Sequence, residues 1–248
     1  MKFFSKQLTK KKKQKTRNWI LTISVVLSLI IFGCLTGMVI GKDNIRKILK
    51  KIDNFTEIFC QKNIVMLGNS LTEAGEWAIL LQRRDVSNKG IGGHTTEDFI
   101  NRIDRVLRLQ PEICFIEGGI NDLSRGIITE IIVRNLEIIV DTLQNNHTKP
   151  VLTTVSYVTE AYDRIKPLND SVKALNELIF KLAERKNVPV LDLNGILSEG
   201  EFLKADYAHP DGLHFSDKAY VVWRDAVIEL LNQESHVLQL KKQNQTAY

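Results

Sequence analysis

The chain has 248 residues, 44% hydrophobic and 25% charged, the proportions of a globular protein with room for one ordinary domain plus appendages. Its net charge of +5 is concentrated at one end, because residues 1–18 hold eight Lys or Arg and no acid, and taking those eight away leaves −3 for the rest. That balance gives no support to nucleic-acid binding by the main body of the chain.

Residues 1–18, with Lys10 to Lys13 in a run, read as a basic cytoplasmic tail. They precede an uncharged stretch from Trp19 to Ile40, 22 residues long. As a helix it would span about 33 Å, enough to cross a hydrocarbon core of roughly 30 Å. Segment 19–41 is therefore expected to be a transmembrane anchor or uncleaved signal, with the basic side in the cytoplasm and the rest outside. A cleaved secretion signal is the weaker reading, since no small-x-small site ends the segment. Ile31-Phe32-Gly33-Cys34 resembles an imperfect lipoprotein site, so lipid at Cys34 is a further route to the same tether. Segment 42–61 reads as a charged stalk, 62–233 as the domain and 234–248 as a loose polar tail.

Within the domain, apolar runs alternate with helical patterns. Strands are expected at 64–68, 86–88, 113–117, 151–155 and 189–192, and helices around 73–84, 95–109, 129–145, 168–186 and 216–232. Val172, Leu175, Leu178, Ile179 and Leu182 form one stripe, as a helix packed on a sheet requires. Five short apolar strands separated by helices imply an α/β fold, a three-layer α/β/α sandwich around a five-stranded parallel sheet. Cys60 and Cys114 lack metal-ligand spacing; a disulfide between them is the lesser reading and a buried small side chain the greater.

The chemistry sits at strand ends. Gly68-Asn69-Ser70-Leu71-Thr72 follows the first strand, Asn88 to Thr96 (NKGIGGHTT) the second, and Gly119-Ile120-Asn121-Asp122 the third, while Asp211-Gly212-Leu213-His214 lies far downstream. Open α/β sheets form their ligand crevice beyond these carboxyl ends. A serine, a base, an acid and a side-chain amide are the parts of an acyl-transfer site. Each has a plainer alternative: Ser70 as a helix N-cap, Asn121 as a turn residue, Gly93 as a flexible position beside Gly92. The four blocks together favour chemistry.

These blocks, in this order from about Lys62 to Leu231, resemble the SGNH hydrolases, the GDSL-type esterase/lipase superfamily, in wording closest to the lysophospholipase-like and platelet-activating-factor-acetylhydrolase-like branch. The resemblance implies a flavodoxin-like strand order 2-1-3-4-5. It implies Ser70 as nucleophile, His214 as its base, Asp211 as the acid that orients His214, and the Ser70 and Gly93 N–H groups with the Asn121 amide as oxyanion donors. The implied activity is hydrolysis of a carboxylic ester, with no cofactor and no metal. The substrate would be a small acyl ester, a lysolipid or an acylated glycan. An O-acyltransferase using the same triad and a catalytically silent binding module are the alternatives.

Three positions depart from the expected pattern. Asn69 stands where the family motif has Asp, and His94 where many members carry Asp. Glu117 lies in an apolar strand, where an unpaired carboxylate is expensive, so it is expected to be paired or protonated and to support the site without reacting. His209 is read as structural, and His147 and His236 as surface residues. Segment 156–167, with Tyr157, Tyr162, Asp163 and Arg164, is expected to border a fairly polar pocket.

Overall fold

The computed structural model describes residues 62–162 and 165–245. The expected tail, anchor and stalk, with Cys34 and Cys60, lie outside the described residues, as do Asp163 and Arg164. Among the described residues no helix is long and apolar enough to cross a membrane.

Five parallel strands form the centre: β1 (Ile64–Gly68), β2 (Val86–Gly90), β3 (Ile113–Glu117), β4 (Lys149–Thr153) and β5 (Val190–Leu191), in the order β2-β1-β3-β4-β5. Alternation along each strand divides the core in two. Val65, Leu67, Cys114 and Ile116 face one layer, with α3 (Thr96–Asn101), α4 (Asp104–Leu107), α6 (Thr129–Asn145) and α7 (Ile165–Lys186) contributing to it. Ile64, Met66, Ile113 and Phe115 face the other, against Leu71 of α1 (Ser70–Ala74), Trp77 of α2 (Trp77–Leu80), α8 (Leu193–Leu197) and α9 (Asp217–Gln245). Helix α5 (Ile120–Ser124) follows β3, and a short antiparallel pair, β6 (Ser198–Glu199) with β7 (Phe202–Leu203), follows α8. Both faces of the sheet are covered, which is why its central strands read as unbroken apolar runs rather than alternating ones.

Four expected elements are revised. The helix expected around 73–84 begins at Ser70 and splits into α1 and α2, because extended Gly75 ends α1 and the Asn88 amide takes the carbonyls of Thr72, Glu73 and Gly75 at 3.0, 3.1 and 2.9 Å. The helix expected at 95–109 breaks at Arg102, which leaves helical geometry as its side chain reaches the sheet. The fourth strand stops at Thr153 instead of 155, since Val155 exchanges both backbone bonds with the Asn176 side chain, 2.8 and 2.9 Å. The last helix runs to Gln245 instead of ending at 232, so the expected loose tail begins as helix; no Gly or Pro lies between Asp217 and Gln245 to stop it. Cys114 is a buried free thiol, its ionisation pushed up by burial.

An aromatic cluster fixes α9 to the start of the domain. Trp223 meets Trp77 edge-on at 4.7 Å and Phe215 at 5.8 Å, all three buried, and the Tyr220 hydroxyl donates to the Leu71 carbonyl at 2.8 Å. Trp223→Ala is therefore expected to cost about 3–5 kcal/mol, read as a lower urea midpoint with unchanged slope.

Candidate active site

Beyond the carboxyl end of β1, the chain turns sharply into α1. Asn69 is the N-cap, its Oδ1 accepting from the Leu71 N–H at 2.8 Å, and Ser70 is the first helical residue. The turn is tight: a Cβ on Gly68 would lie 2.0 Å from Thr72 Oγ1 and 2.7 Å from the Glu117 carbonyl, so only glycine fits.

Ser70 Oγ lies 3.0 Å from His214 Nε2, and His214 Nδ1 lies 2.7 Å from Asp211 Oδ2. The other Asp211 oxygen accepts the Leu213 and His214 N–H groups at 2.9 and 2.8 Å. Partial burial raises the Asp211 pKa, but those two backbone donors and the imidazole outweigh it and hold the carboxyl at about 2. Gly212, at φ +74°, makes this three-residue turn possible, and a Cβ there would also strike Thr159 Oγ1 at 2.5 Å. Phe215, next after His214, plugs into the Trp223 cluster, so packing on α9 sets where the imidazole stands.

The loop after β2 closes on the same point. A Cβ at Gly92 would come within 3.7 Å of Ser70 Cβ. The Gly92 N–H is taken by Glu73 Oε2 at 2.7 Å, whereas no acceptor among the described residues takes the N–H of Gly93 or of Ser70. Gly93 has φ +75°, and its carbonyl accepts from Arg125 Nη2 at 2.7 Å. The Asn121 amide, at the start of α5, donates to the His94 carbonyl at 2.9 Å and so ties the β3 end to this loop. All five residues singled out from the sequence thus meet in one region: Ser70, His214 and Asp211 in one hydrogen-bonded line, and Gly93 and Asn121 on the adjoining loop and helix.

Buried polar groups hold the strand ends in register. Glu117 is fully buried; its two oxygens accept from Asn69 Nδ2 at 3.0 Å and Thr72 Oγ1 at 3.1 Å, the residues flanking Ser70. Burial raises its pKa to about 7 against the pull of those two donors. The pairing accounts for Asn69, since an amide can donate to a buried carboxylate where an aspartate could not. Asp122 accepts the Thr96 N–H and hydroxyl, at 3.1 and 2.6 Å, anchoring the start of α3. Arg102 donates to the Lys89 and Gly68 carbonyls at 2.6 and 2.9 Å, and burial lowers its pKa to about 10.

Sequence reasoning missed Arg102 and Asn88. Their bonds run to backbone carbonyls of other elements, which leaves no local pattern to read. Of segment 156–167, Thr159, Glu160 and Ala161 do border a cavity, but Tyr157 is only 8% exposed and packs in the core instead of lining it. His147 is exposed, at the turn after α6. His209 is exposed, with Nδ1 3.8 Å from Asp211 Oδ2.

A doubly wound parallel sheet with a Ser–His–Asp line at its strand ends defines an α/β protein equipped for acyl transfer. Residues 66–222 match the GDSL-like lipase/acylhydrolase family, and the chain belongs to it, within the SGNH hydrolase superfamily. A GDSL-like lipase from Bacteroides thetaiotaomicron superposes with TM-score 0.66 at 20% identity, over 75% of this chain and 98% of that one. The lipase/acylhydrolase from Enterococcus faecalis superposes with TM-score 0.60 at 27% identity, over 70% and 96%. Among curated proteins, N-acylneuraminate cytidylyltransferase of Streptococcus agalactiae is 26% identical over 155 residues, 62% of this chain. The chain spans about a third of that relative's length (35%). The family match, with the Enterococcus faecalis lipase/acylhydrolase beside it, supports an ester hydrolase.

Proposed function

We propose that the protein is a serine esterase that cleaves carboxylic esters through an acyl-enzyme on Ser70. The observation that carries this reading is the unbroken line from Ser70 Oγ through His214 to Asp211, at 3.0 and 2.7 Å. His214 Nε2 takes the Ser70 proton as Oγ attacks the ester carbonyl, and returns it to the departing alcohol oxygen. Water then repeats the sequence on the acyl-enzyme, releasing the acid and restoring the serine. The Ser70 and Gly93 N–H groups and the Asn121 amide are the donors for the oxyanion. Asp211 holds the His214 tautomer and stabilises the imidazolium.

A fluorophosphonate probe tests the assignment. Labelling should map by peptide mass spectrometry to Ser70 and vanish in His214→Ala; a label elsewhere, or none, would overturn it. Acyl transfer to an added alcohol in preference to water would instead identify an acyltransferase.

Asp211→Asn is expected to lower kcat by about 10³–10⁴-fold with little change in KM, because the amide holds the wrong imidazole tautomer. The Asp211 pKa of about 2 also sets a pH expectation. A carboxyl depressed by folding contributes its stabilisation above its unfolded value and loses it only as pH falls towards 2. Urea denaturation of the wild type should therefore show this contribution intact above about pH 4 and lost as pH falls from there towards 2, a loss that Asp211→Asn lacks.

We further propose that the domain is tethered on the outer face of a membrane. The basic run followed by the uncharged Trp19–Ile40 stretch supports this. Protease added to intact cells should remove the domain; protection from it would place the domain inside.

A further inference from the structure

The N–H group that the esterase reading gives to Gly93 belongs to the least restrained stretch of the site. Ile91 to His94 form a β-turn, closed by the His94 N–H donating to the Ile91 carbonyl at 3.3 Å. Gly93 stands at the third position with φ +75°, and Gly92 before it lacks a positive φ, the pattern of a type II turn. Two successive glycines leave such a turn wide backbone freedom. Both are exposed, and packing does not hold them. Within 4 Å, a Cβ on Gly93 would meet Arg125 Nη2 alone, at 3.9 Å; one on Gly92 would meet Glu73 Oε2 at 3.0 Å and Ser70 Cβ at 3.7 Å.

Two charged side chains supply the restraint that packing does not. Glu73 Oε2 accepts the Gly92 N–H at 2.7 Å, and Arg125 Nη2 donates to the Gly93 carbonyl at 2.7 Å. These groups belong to the peptide units on either side of the one that carries the Gly93 N–H. The two side chains also come from the elements that matter. Glu73 lies three residues after Ser70 on α1, hence on the same helical face, and Arg125 is the C-cap of α5, whose second residue is Asn121. The turn is thereby tied both to the helix of the proposed nucleophile and to the helix of the proposed amide donor. Among the described residues Arg125 forms no ion pair, so its guanidinium is committed to that one carbonyl. Exposed charged contacts contribute little to folding. Placement of a group at the reacting atoms is another matter, since an error of about 1 Å costs on the order of 10²-fold in rate.

We infer that Glu73 and Arg125 are positioning residues, a two-sided clamp that holds the Gly92–Gly93 turn where the Gly93 N–H can serve as an oxyanion donor. The inference rests on the serine-esterase reading above. Its test uses the full-length wild-type protein, Glu73→Ala, Glu73→Gln and Arg125→Ala, with p-nitrophenyl acetate as substrate and a trifluoromethyl ketone as mimic of the tetrahedral intermediate. Both alanine variants should lose about tenfold or more in kcat with KM within about twofold, because the clamp acts on the transition state and not on the bound ester. Inhibition by the ketone should weaken by a similar factor, while the urea midpoints stay at the wild-type value. Glu73→Gln should recover most of the rate, since its amide oxygen still accepts the Gly92 N–H. Guanidinium ion at sub-denaturing concentration should restore part of the rate of Arg125→Ala and none of that of Glu73→Ala. A rate within about twofold of wild type in either alanine variant overturns the clamp and leaves the esterase reading intact. A loss that follows a lowered midpoint, with no recovery in Glu73→Gln or by guanidinium, overturns it in favour of a purely structural role. No turnover of any ester by the wild type removes the reading and this inference with it.

Discussion

Ser70→Ala is expected to lower kcat/KM for p-nitrophenyl acetate by a factor on the order of 10⁴ or more while leaving the circular dichroism spectrum and urea midpoint unchanged. The size of the effect follows from the role proposed for Oγ, the atom that would bond to the acyl group, so that no residual acyl-enzyme route would exist without it. The folding expectation follows from the local structure. Ser70 is not the cap of α1; Asn69 makes the capping bond to the Leu71 N–H, and the tight turn is set by Gly68 and by the Glu117 contacts to Asn69 and Thr72. Removing one hydroxyl whose hydrogen-bond partner among the described residues is His214 Nε2 therefore spares the scaffold. Combining Ser70→Ala with His214→Ala should add little further loss, because the two act as a unit. Comparable rates in the wild type and the Ser70 variant would mean that the bond is broken elsewhere.

Glu117→Gln is expected to make the protein more stable at alkaline pH and to leave its stability at pH 5 nearly unchanged. The folded pKa of Glu117 is about 7, raised from the ordinary 4.5 by burial. A carboxyl raised by folding makes the native state hold its proton where the unfolded chain has lost it. Unfolding free energy therefore falls as pH rises from about 4.5 to about 7, and the deficit persists above that. The shift corresponds to a loss on the order of 3 kcal/mol. Glutamine is neutral at every pH, accepts from Asn69 and can donate to Thr72 Oγ1, so its curve lacks this term. Urea denaturation of both proteins from pH 5 to pH 9 isolates the effect, since every other group titrates alike in the two. Parallel curves would show that Glu117 titrates normally. Glu117→Ala differs in kind: it leaves the Asn69 amide and the Thr72 hydroxyl buried without their acceptor, at about 1–3 kcal/mol each. Because those residues flank Ser70, kcat should fall as well.

The sequence by itself determined the parts that local physics encodes. The runs Ile64–Leu67 and Ile113–Ile116 could only be buried strands, and the 2-1-3-4-5 order expected from the resemblance is the order found. The 129–145 helix was legible to the residue because its apolar stripe is continuous. Ser70, Gly93, Asn121, Asp211 and His214 could be singled out as candidates because each stands at a strand end or in a loop, within a block that resembles the family's motifs. Glu117 was legible as an anomaly, a charge inside an apolar strand, although its partners were not. The tertiary structure alone decided those partners, Asn69 and Thr72, and with them the reason this chain carries Asn at 69. It alone decided the breaks at Gly75 and Arg102, the role of Asn88 as a three-carbonyl cap, and the cavity formed where the β6–β7 ribbon meets the His214 loop. The division has one physical cause. Apolar periodicity repeats over every few residues and so accumulates as a signal along the chain, whereas a hydrogen bond from a single side chain to a distant carbonyl is decided by three-dimensional proximity and leaves no repeat to read.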